Sequence, residues 1–116
     1  MSWASGYETG VEYTYGYYRE MSPPLLRFAL LANGLRPPPI ADYLELGCGR
    51  GLSLNVHAAA NPIRAMGTDF IPSHVVDALE FAGASGASFS EDSFEDTIDR
   101  LRSGSLGPFD AIAFHG

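Results

Sequence analysis

The sequence predicts an α/β fold built on a parallel sheet, and three observations predict it. Short apolar runs at 42–46, 63–70, 87–89 and 109–114 alternate with stretches of helical period. The first run carries an acid near its end and breaks into three alternating glycines, Gly47, Gly49 and Gly51, just before a helical pattern starts at Leu52. The last run, Ala111-Ile112-Ala113-Phe114, has no polar face, the mark of a strand covered on both sides. Strands alternating with helices of this length give a parallel sheet with right-handed crossovers. The 116 residues suffice for one small domain and not for two.

Taken in order, residues 1–21 form an aromatic N-terminal arm without a clear period. Tyr13, Tyr15, Tyr17 and Tyr18 crowd around Gly16, followed by Arg19 and Glu20. Two readings stand: an arm whose rings pack on the domain surface, or a lid over a ligand, since tyrosine has a flat apolar face and a hydroxyl. At residue 22 the arm gives way to the folded unit, 22–116. Ser22-Pro23-Pro24 reads as a helix start, with Ser as N-cap and Pro in the first turn. Leu25, Phe28, Ala29 and Ala32 share one face, and Gly34 stops the helix. Pro37-Pro38-Pro39 is a stiff spacer into the first strand. Beyond the glycines, Leu52, Val56, Ala59 and Ala60 line one side of a helix ending at Asn61-Pro62. The second strand closes on Asp69, and Pro72 opens a helix with Val75, Val76 and Leu79 inward, ending near Gly83. A weak third strand precedes the polar turn Glu91-Asp92-Ser93. Phe94, Ile98 and Leu101 then mark a helix stopped by Gly104. No internal repeat is visible.

Composition narrows the function. A hydrophobic share of 46% fits a packed core and not a disordered tail. Seven Lys and Arg stand against fourteen Asp and Glu, with no basic run. Each phosphate contact needs a cation, so unaided nucleic-acid binding is not expected. Cys48 is the one cysteine, which excludes an internal disulfide and a cysteine-based zinc site and fits a reducing compartment. His57 falls inside a helix and His74 in the first turn of another, without a partner at ligand spacing, so no metal site is expected. Met1 to Glu8 has neither a basic start nor an apolar block, and no stretch is long enough to span a membrane. A soluble cytoplasmic protein is the expectation.

The glycine-broken strand end is where chemistry is expected. Glycines let the backbone turn sharply and let a ligand approach with no Cβ in the way. The helix that follows offers unpaired N–H groups, and the strand-end acid Glu45 can accept from a ligand's amine or hydroxyls. This describes a nucleotide or nucleoside site at the carboxyl end of the first strand of an open α/β sheet. A dinucleotide site is the competing reading, because Asp69 lies at a distance from the glycines that suits either ribose. The spacing decides against it: a dinucleotide fingerprint wants Gly-x-Gly-x-x-Gly, and position 52 is Leu. Asp92 and Asp110 are expected to add negative charge around the mouth, favouring a cationic ligand over a pyrophosphate; Arg50 pulls weakly the other way. Cys48 lies near a helix N-terminus, which can lower a thiol pKa, although a small residue filling a tight turn is the plainer reading.

Glu45-Leu46-Gly47-Cys48-Gly49-Arg50-Gly51 resembles the acid-x-Gly-x-Gly-x-Gly signature of class I S-adenosylmethionine-dependent methyltransferases. Gly67-Thr68-Asp69, Glu91-Asp92-Ser93-Phe94 and Phe109 to Gly116 resemble the family's later landmarks, in the right order. More narrowly, Tyr13 to Glu20 ahead of Tyr43 to Gly49 resembles bacterial methyltransferases that carry an added C-terminal regulatory domain. The resemblance implies a Rossmann-like sheet of strand order 3-2-1-4, of which the family's remaining three strands are missing here. It implies S-adenosyl-L-methionine as cofactor. Gly47, Cys48, Gly49 and Gly51 would pass beside its methionine part, and Glu45 would hold its amino group. Asp69, with Phe70 beside it, would take the ribose hydroxyls. Asp92 would accept from the adenine amino group, and the Ser93 backbone N–H would face a ring nitrogen. His115 would sit beside the transferred methyl group as a weak candidate for a catalytic base. The acceptor substrate is left open.

An apolar edge at the fourth strand is an aggregation risk that natural domains cover. The expectation is a fragment of a longer methyltransferase, the N-terminal half of its domain, with the missing half or a second copy against that strand. A cofactor- or partner-binding module without catalysis, and a dinucleotide-binding oxidoreductase fragment, are the alternatives.

Overall fold

A computed structural model describes residues 15–115; Tyr13, the rest of the arm up to residue 14, and Gly116 lie outside the described residues. Four parallel strands form one sheet: β1 (Asp42–Leu46), β2 (Arg64–Asp69), β3 (Ser88–Glu91) and β4 (Ala111–Phe114), in the order β3-β2-β1-β4. Between them run α2 (Leu52–Ala60), α3 (Pro72–Ser85) and α4 (Phe94–Ser103), with α1 (Pro23–Ala32) ahead of β1 and a short 3₁₀ turn at Arg19–Met21. The strand order is the one expected.

The core explains the central place of β1. Tyr43 and Leu44 are fully buried, and Tyr43 clusters with Leu54, Ala58, Ala65 and Ala87 beneath Leu26, Ile40 and Phe89. The Tyr43 hydroxyl reaches through this core and donates to the Met21 carbonyl at 2.7 Å, which gives the buried phenol its partner. Small residues let the layers approach. A Cβ at Gly51, where φ is +76°, would overlap Ala78 of α3 and stand 3.1 Å from the Phe89 ring.

The helix faces differ from those expected. On α2 the buried residues are Ser53, Leu54, Asn55, His57 and Ala58, while Val56, Ala59 and Ala60 are exposed. The reason is polar: Asn55 donates to the Gly51 and Ala78 carbonyls at 2.8 and 3.1 Å, and Ser53 and His57 serve the arm. With partners in place, burying these groups carries no desolvation penalty large enough to turn the helix over. On α3, Val75 is inward as expected, but His74 and Ala78 share its face and Val76 and Leu79 point out. The helix also runs past Gly83 to Gly86, whose left-handed backbone donates its N–H to the Ala82 carbonyl. Thr97 is the buried residue of α4, while Phe94 and Ile98 are exposed, and Leu25 and Phe28 of α1 are exposed as well. The fourth strand, read as covered on both sides, leaves Ile112 51% and Phe114 70% exposed, because it is the open edge of the sheet.

Two glycines give opposite expectations. Gly51→Ala combines a disfavoured φ with overlap in the core and should cost about 2–4 kcal/mol. Gly83→Ala lies inside α3 with open space around the new methyl, and should stabilise by about 0.5–1 kcal/mol. Urea unfolding of the two variants beside the wild type checks both signs.

Candidate functional site

Parallel register assembles the site. Leu46 stands opposite Thr68 on one side and Phe114 on the other, and Asp69 stands opposite Glu91. The residues that follow each strand therefore emerge along one edge: Gly47 after β1, Phe70 after β2, Asp92 after β3 and His115 after β4. Neighbours on both sides of β1 belong to crossovers running in opposite directions, so the crevice opens at that strand's carboxyl end.

Glu45 sits at this point, 3% exposed, and among the described residues its Oε1 has no hydrogen-bond partner. Burial pushes its carboxyl up to about 8. Beside it, Gly47, Gly49 and Gly51 all take positive φ, and the space a Cβ would fill at Gly49 is open. Cys48 anchors the turn by donating its N–H to the Thr68 carbonyl at 2.9 Å. Its thiol is pushed above the ordinary thiol range, by burial first and then by the charges of Glu45 and Asp69, against a smaller lowering from a backbone hydrogen bond.

Asp69 is 8% exposed and ties three segments together. Its Oδ2 accepts the Gly49 N–H and its Oδ1 the Ile71 N–H, each at 2.9 Å, while His74 Nδ1 lies 3.4 Å from Oδ1. Each oxygen keeps a second lone pair for a ligand hydroxyl. Phe70 follows, half-buried. The next turn is equally fixed. Asp92 Oδ2 accepts from Ser90 Oγ and from Arg100, each at 2.5 Å, and the Asp92 N–H donates to the Asp69 carbonyl at 3.1 Å. Ser93 caps α4: its Oγ accepts the Asp96 N–H and its own N–H donates to Asp96 Oδ2, so that N–H, implied as a ring-nitrogen contact, is engaged by the cap.

The described part of the arm lies from the glycine turn to the end of β4. Arg50 stands over the Tyr15 ring at 5.2 Å and pairs with Asp77. Ser53 Oγ accepts the Tyr18 N–H at 3.0 Å, and His57 Nε2 lies 3.1 Å from the Tyr18 carbonyl and from Ser53 Oγ. Burial holds the His57 imidazole below its ordinary pKa, so it stays neutral and gives the Nε2–H to that carbonyl. The Tyr18 ring stacks on His115 at 3.8 Å, and His115 Nε2 lies 3.2 Å from Glu20.

One expected acid is elsewhere. Asp110 precedes β4 at the opposite edge of the sheet, where its Oδ2 accepts the Ala41 and Asp42 N–H groups at 2.8 and 2.9 Å. Those bonds hold its carboxyl below the usual range. Asp110 joins two strand starts and adds no charge to the mouth. The residues not anticipated are Ser53, His57, Ser90 and Arg100. The i, i+4 spacing of Ser53 and His57 was a usable signal; nothing in sequence links Arg100 to Asp92.

No family model matches the chain. The protein sll1526 of Synechocystis, itself uncharacterized, is 41% identical over 123 residues, spanning all of this chain and 24% of that protein. PKMT2 from Rickettsia typhi, solved in complex with AdoHcy, superposes with a TM-score of 0.75 at 25% identity, over 90% of this chain and 20% of its own. The fold is that of the class I methyltransferases. A SAM-dependent methyltransferase from Thiobacillus denitrificans, in complex with S-adenosyl-L-homocysteine, matches with a TM-score of 0.50 at 26% identity, over 82% of this chain and 37% of its own. The chain thus spans about a quarter of the curated relative's length. Among the described residues of this methyltransferase-type sheet, no helix is long and apolar enough to cross a membrane.

The buried acid makes ligand-free stability depend on pH. The folded state holds the Glu45 proton up to about 8, whereas the unfolded chain releases it near the ordinary carboxyl value. Stability is therefore fully present in acid and falls as pH rises toward 8, by up to about 1.4 kcal/mol per pH unit. Urea unfolding between pH 5.5 and 8.5 should show this decline, and Glu45→Gln should flatten it.

Proposed function

We propose that this chain is the cofactor-binding portion of an S-adenosyl-L-methionine-dependent methyltransferase. The observation that carries the reading is Glu45: a buried carboxyl oxygen without a partner among the described residues, beside a glycine turn with open space at Gly49. Such a group needs a cation or a strong donor against it. S-adenosyl-L-methionine supplies both an ammonium group and, for the reaction, a methyl carried on a sulfonium. The methyltransferase complexes among the structural neighbours support the same reading.

The chain's own residues would act by binding and orienting, which is most of what an in-line methyl transfer asks of a protein. Glu45 would accept from the ammonium, and the glycine turn would let the backbone lie close to the amino-acid part. Asp69 would accept from two ribose hydroxyls and Asp92 from the adenine amine. His115, whose Nε2 lies 3.2 Å from Glu20, is the candidate that would receive the proton of the methyl acceptor. The relatives' greater length supports assigning acceptor binding to segments beyond this chain. The cytoplasm is the proposed location, and the open edge of β4 is proposed to be covered by further protein, a second copy of this chain when it is alone.

Calorimetric titration with S-adenosylhomocysteine tests the reading. The folded chain should bind it and ignore NADH. Glu45→Gln should weaken binding about 10–100-fold, the worth of a hydrogen bond to a charged group. Affinity should rise with pH by up to about tenfold per unit until Glu45 is ionised near 8, then level off. Asp69→Ala should also lose binding, but less selectively, since it frees the Gly49 and Ile71 amides too. A folded wild type that gives no heat and no thermal shift would overturn the assignment.

Coverage of β4 has its own check. Native mass spectrometry at rising concentration should show dimers of the wild type, and Ile112→Lys/Phe114→Lys should abolish them. A wild type that stays monomeric throughout contradicts self-association.

A further inference from the structure

Asp92 is held at one of its two oxygens. Its side chain is 13% exposed, and both of its side-chain donors, Ser90 Oγ and Arg100, converge on Oδ2. Arg100 reaches them with one nitrogen, 2.5 Å from Asp92 and 3.2 Å from Ser90 Oγ. No described group donates to Oδ1. The support is rigid at both ends. Ser90 belongs to β3, and Arg100 rides on the second turn of α4, whose start is fixed by the reciprocal Ser93–Asp96 cap and by Thr97 Oγ1 donating to the Ser93 carbonyl at 2.8 Å.

Asp92 shares the carboxyl edge with Glu45, Asp69 and Glu91, and its own N–H is spent on the Asp69 carbonyl. Arg100 brings a cation into contact with Asp92 Oδ2, the oxygen that Ser90 Oγ also uses. What remains is a single oriented acceptor. A donor-bearing ligand edge can use it without first displacing a protein group or ordering the side chain.

We propose that Arg100, together with Ser90, is a positioning residue that sets Asp92 Oδ1 as an acceptor for the exocyclic amine of the nucleobase, and so makes the nucleoside end of the site selective for an amino-purine. The inference rests on the cofactor reading given above and adds to it the residue that enforces base selectivity. Arg100 acts through Asp92 and does not itself touch the ligand.

The test compares two ligands on the full chain: S-adenosylhomocysteine and its analogue with hydrogen in place of the exocyclic amine. The wild type should prefer the amine by about 10–100-fold, the worth of a hydrogen bond to a charged acceptor. Arg100→Ala should reduce that preference to within about threefold, leaving the affinity for the deamino analogue unchanged. Arg100→Lys should restore most of the preference, because the contact uses one nitrogen. Equal weakening of both ligands in Arg100→Ala would reduce Arg100 to a structural role and overturn the inference. So would an Arg100→Ala preference equal to the wild type's. A wild type that binds both ligands equally overturns the inference while the cofactor reading stands; a folded wild type that binds neither overturns the cofactor reading itself.

Discussion

Asp69 is the junction on which the site depends. One oxygen is fastened to the glycine turn and the other to the residue that precedes α3, so a single carboxylate joins the ends of two strands and the start of a helix. Parallel pairing delivers these ends to one edge but leaves the connecting turns free to choose a shape. The two amide bonds remove that freedom. Cys48 repeats the arrangement with backbone alone, through the Thr68 carbonyl. The turn is therefore braced against β2 on both sides of its sharpest bend, and a ligand meets a surface already in place.

The brace is offset by a buried acid whose Oε1 has no hydrogen-bond partner among the described residues. Glu45 lies on the central strand, between two neighbours, and is 3% exposed. The pressure on its carboxyl also reaches Tyr43, whose hydroxyl is pushed above the ordinary phenol range first by burial and then by the Glu45 charge. A domain optimised for stability would place an apolar residue at 45. Strain of this kind, kept at one position and compensated by the surrounding core, is how functional sites are commonly maintained.

The order of elements was readable in the sequence because local signals coincide there: apolar runs of strand length, glycines at the one turn that needs them, Pro and Ser at helix starts. The sheet order carried over directly, and the strand, glycine turn and helix start follow one another at 42–52 as read. The helix faces did not. An amphipathic reading assigns Val56, Val76, Leu79 and Ile98 to the interior, yet the structure buries Ser53, Asn55, His57, His74 and Thr97. Polar residues can line an interface when partners converge on them, and those partners come from distant segments that periodicity does not sense. Asp110 failed for a different reason. A residue beside a strand can sit at either end of it, and only the true first residue of β4 tells which edge of the sheet it joins. Arg100 had no sequence signal, since its contact with Asp92 crosses from a helix to the end of a strand.

The Ser53–His57 pair grips Tyr18 by its N–H and its carbonyl, as a neighbouring strand would, and makes no use of the ring. Mooring and side-chain identity are thereby uncoupled at position 18. Any residue with a backbone N–H can be moored there, proline alone being excluded, and the ring is free to be chosen for what it meets at the end of β4. Drift at this position alters the wall presented to His115 without unfastening the segment that carries it. The surface beside the end of β4 can thus vary one residue at a time while the framework beneath stays unchanged.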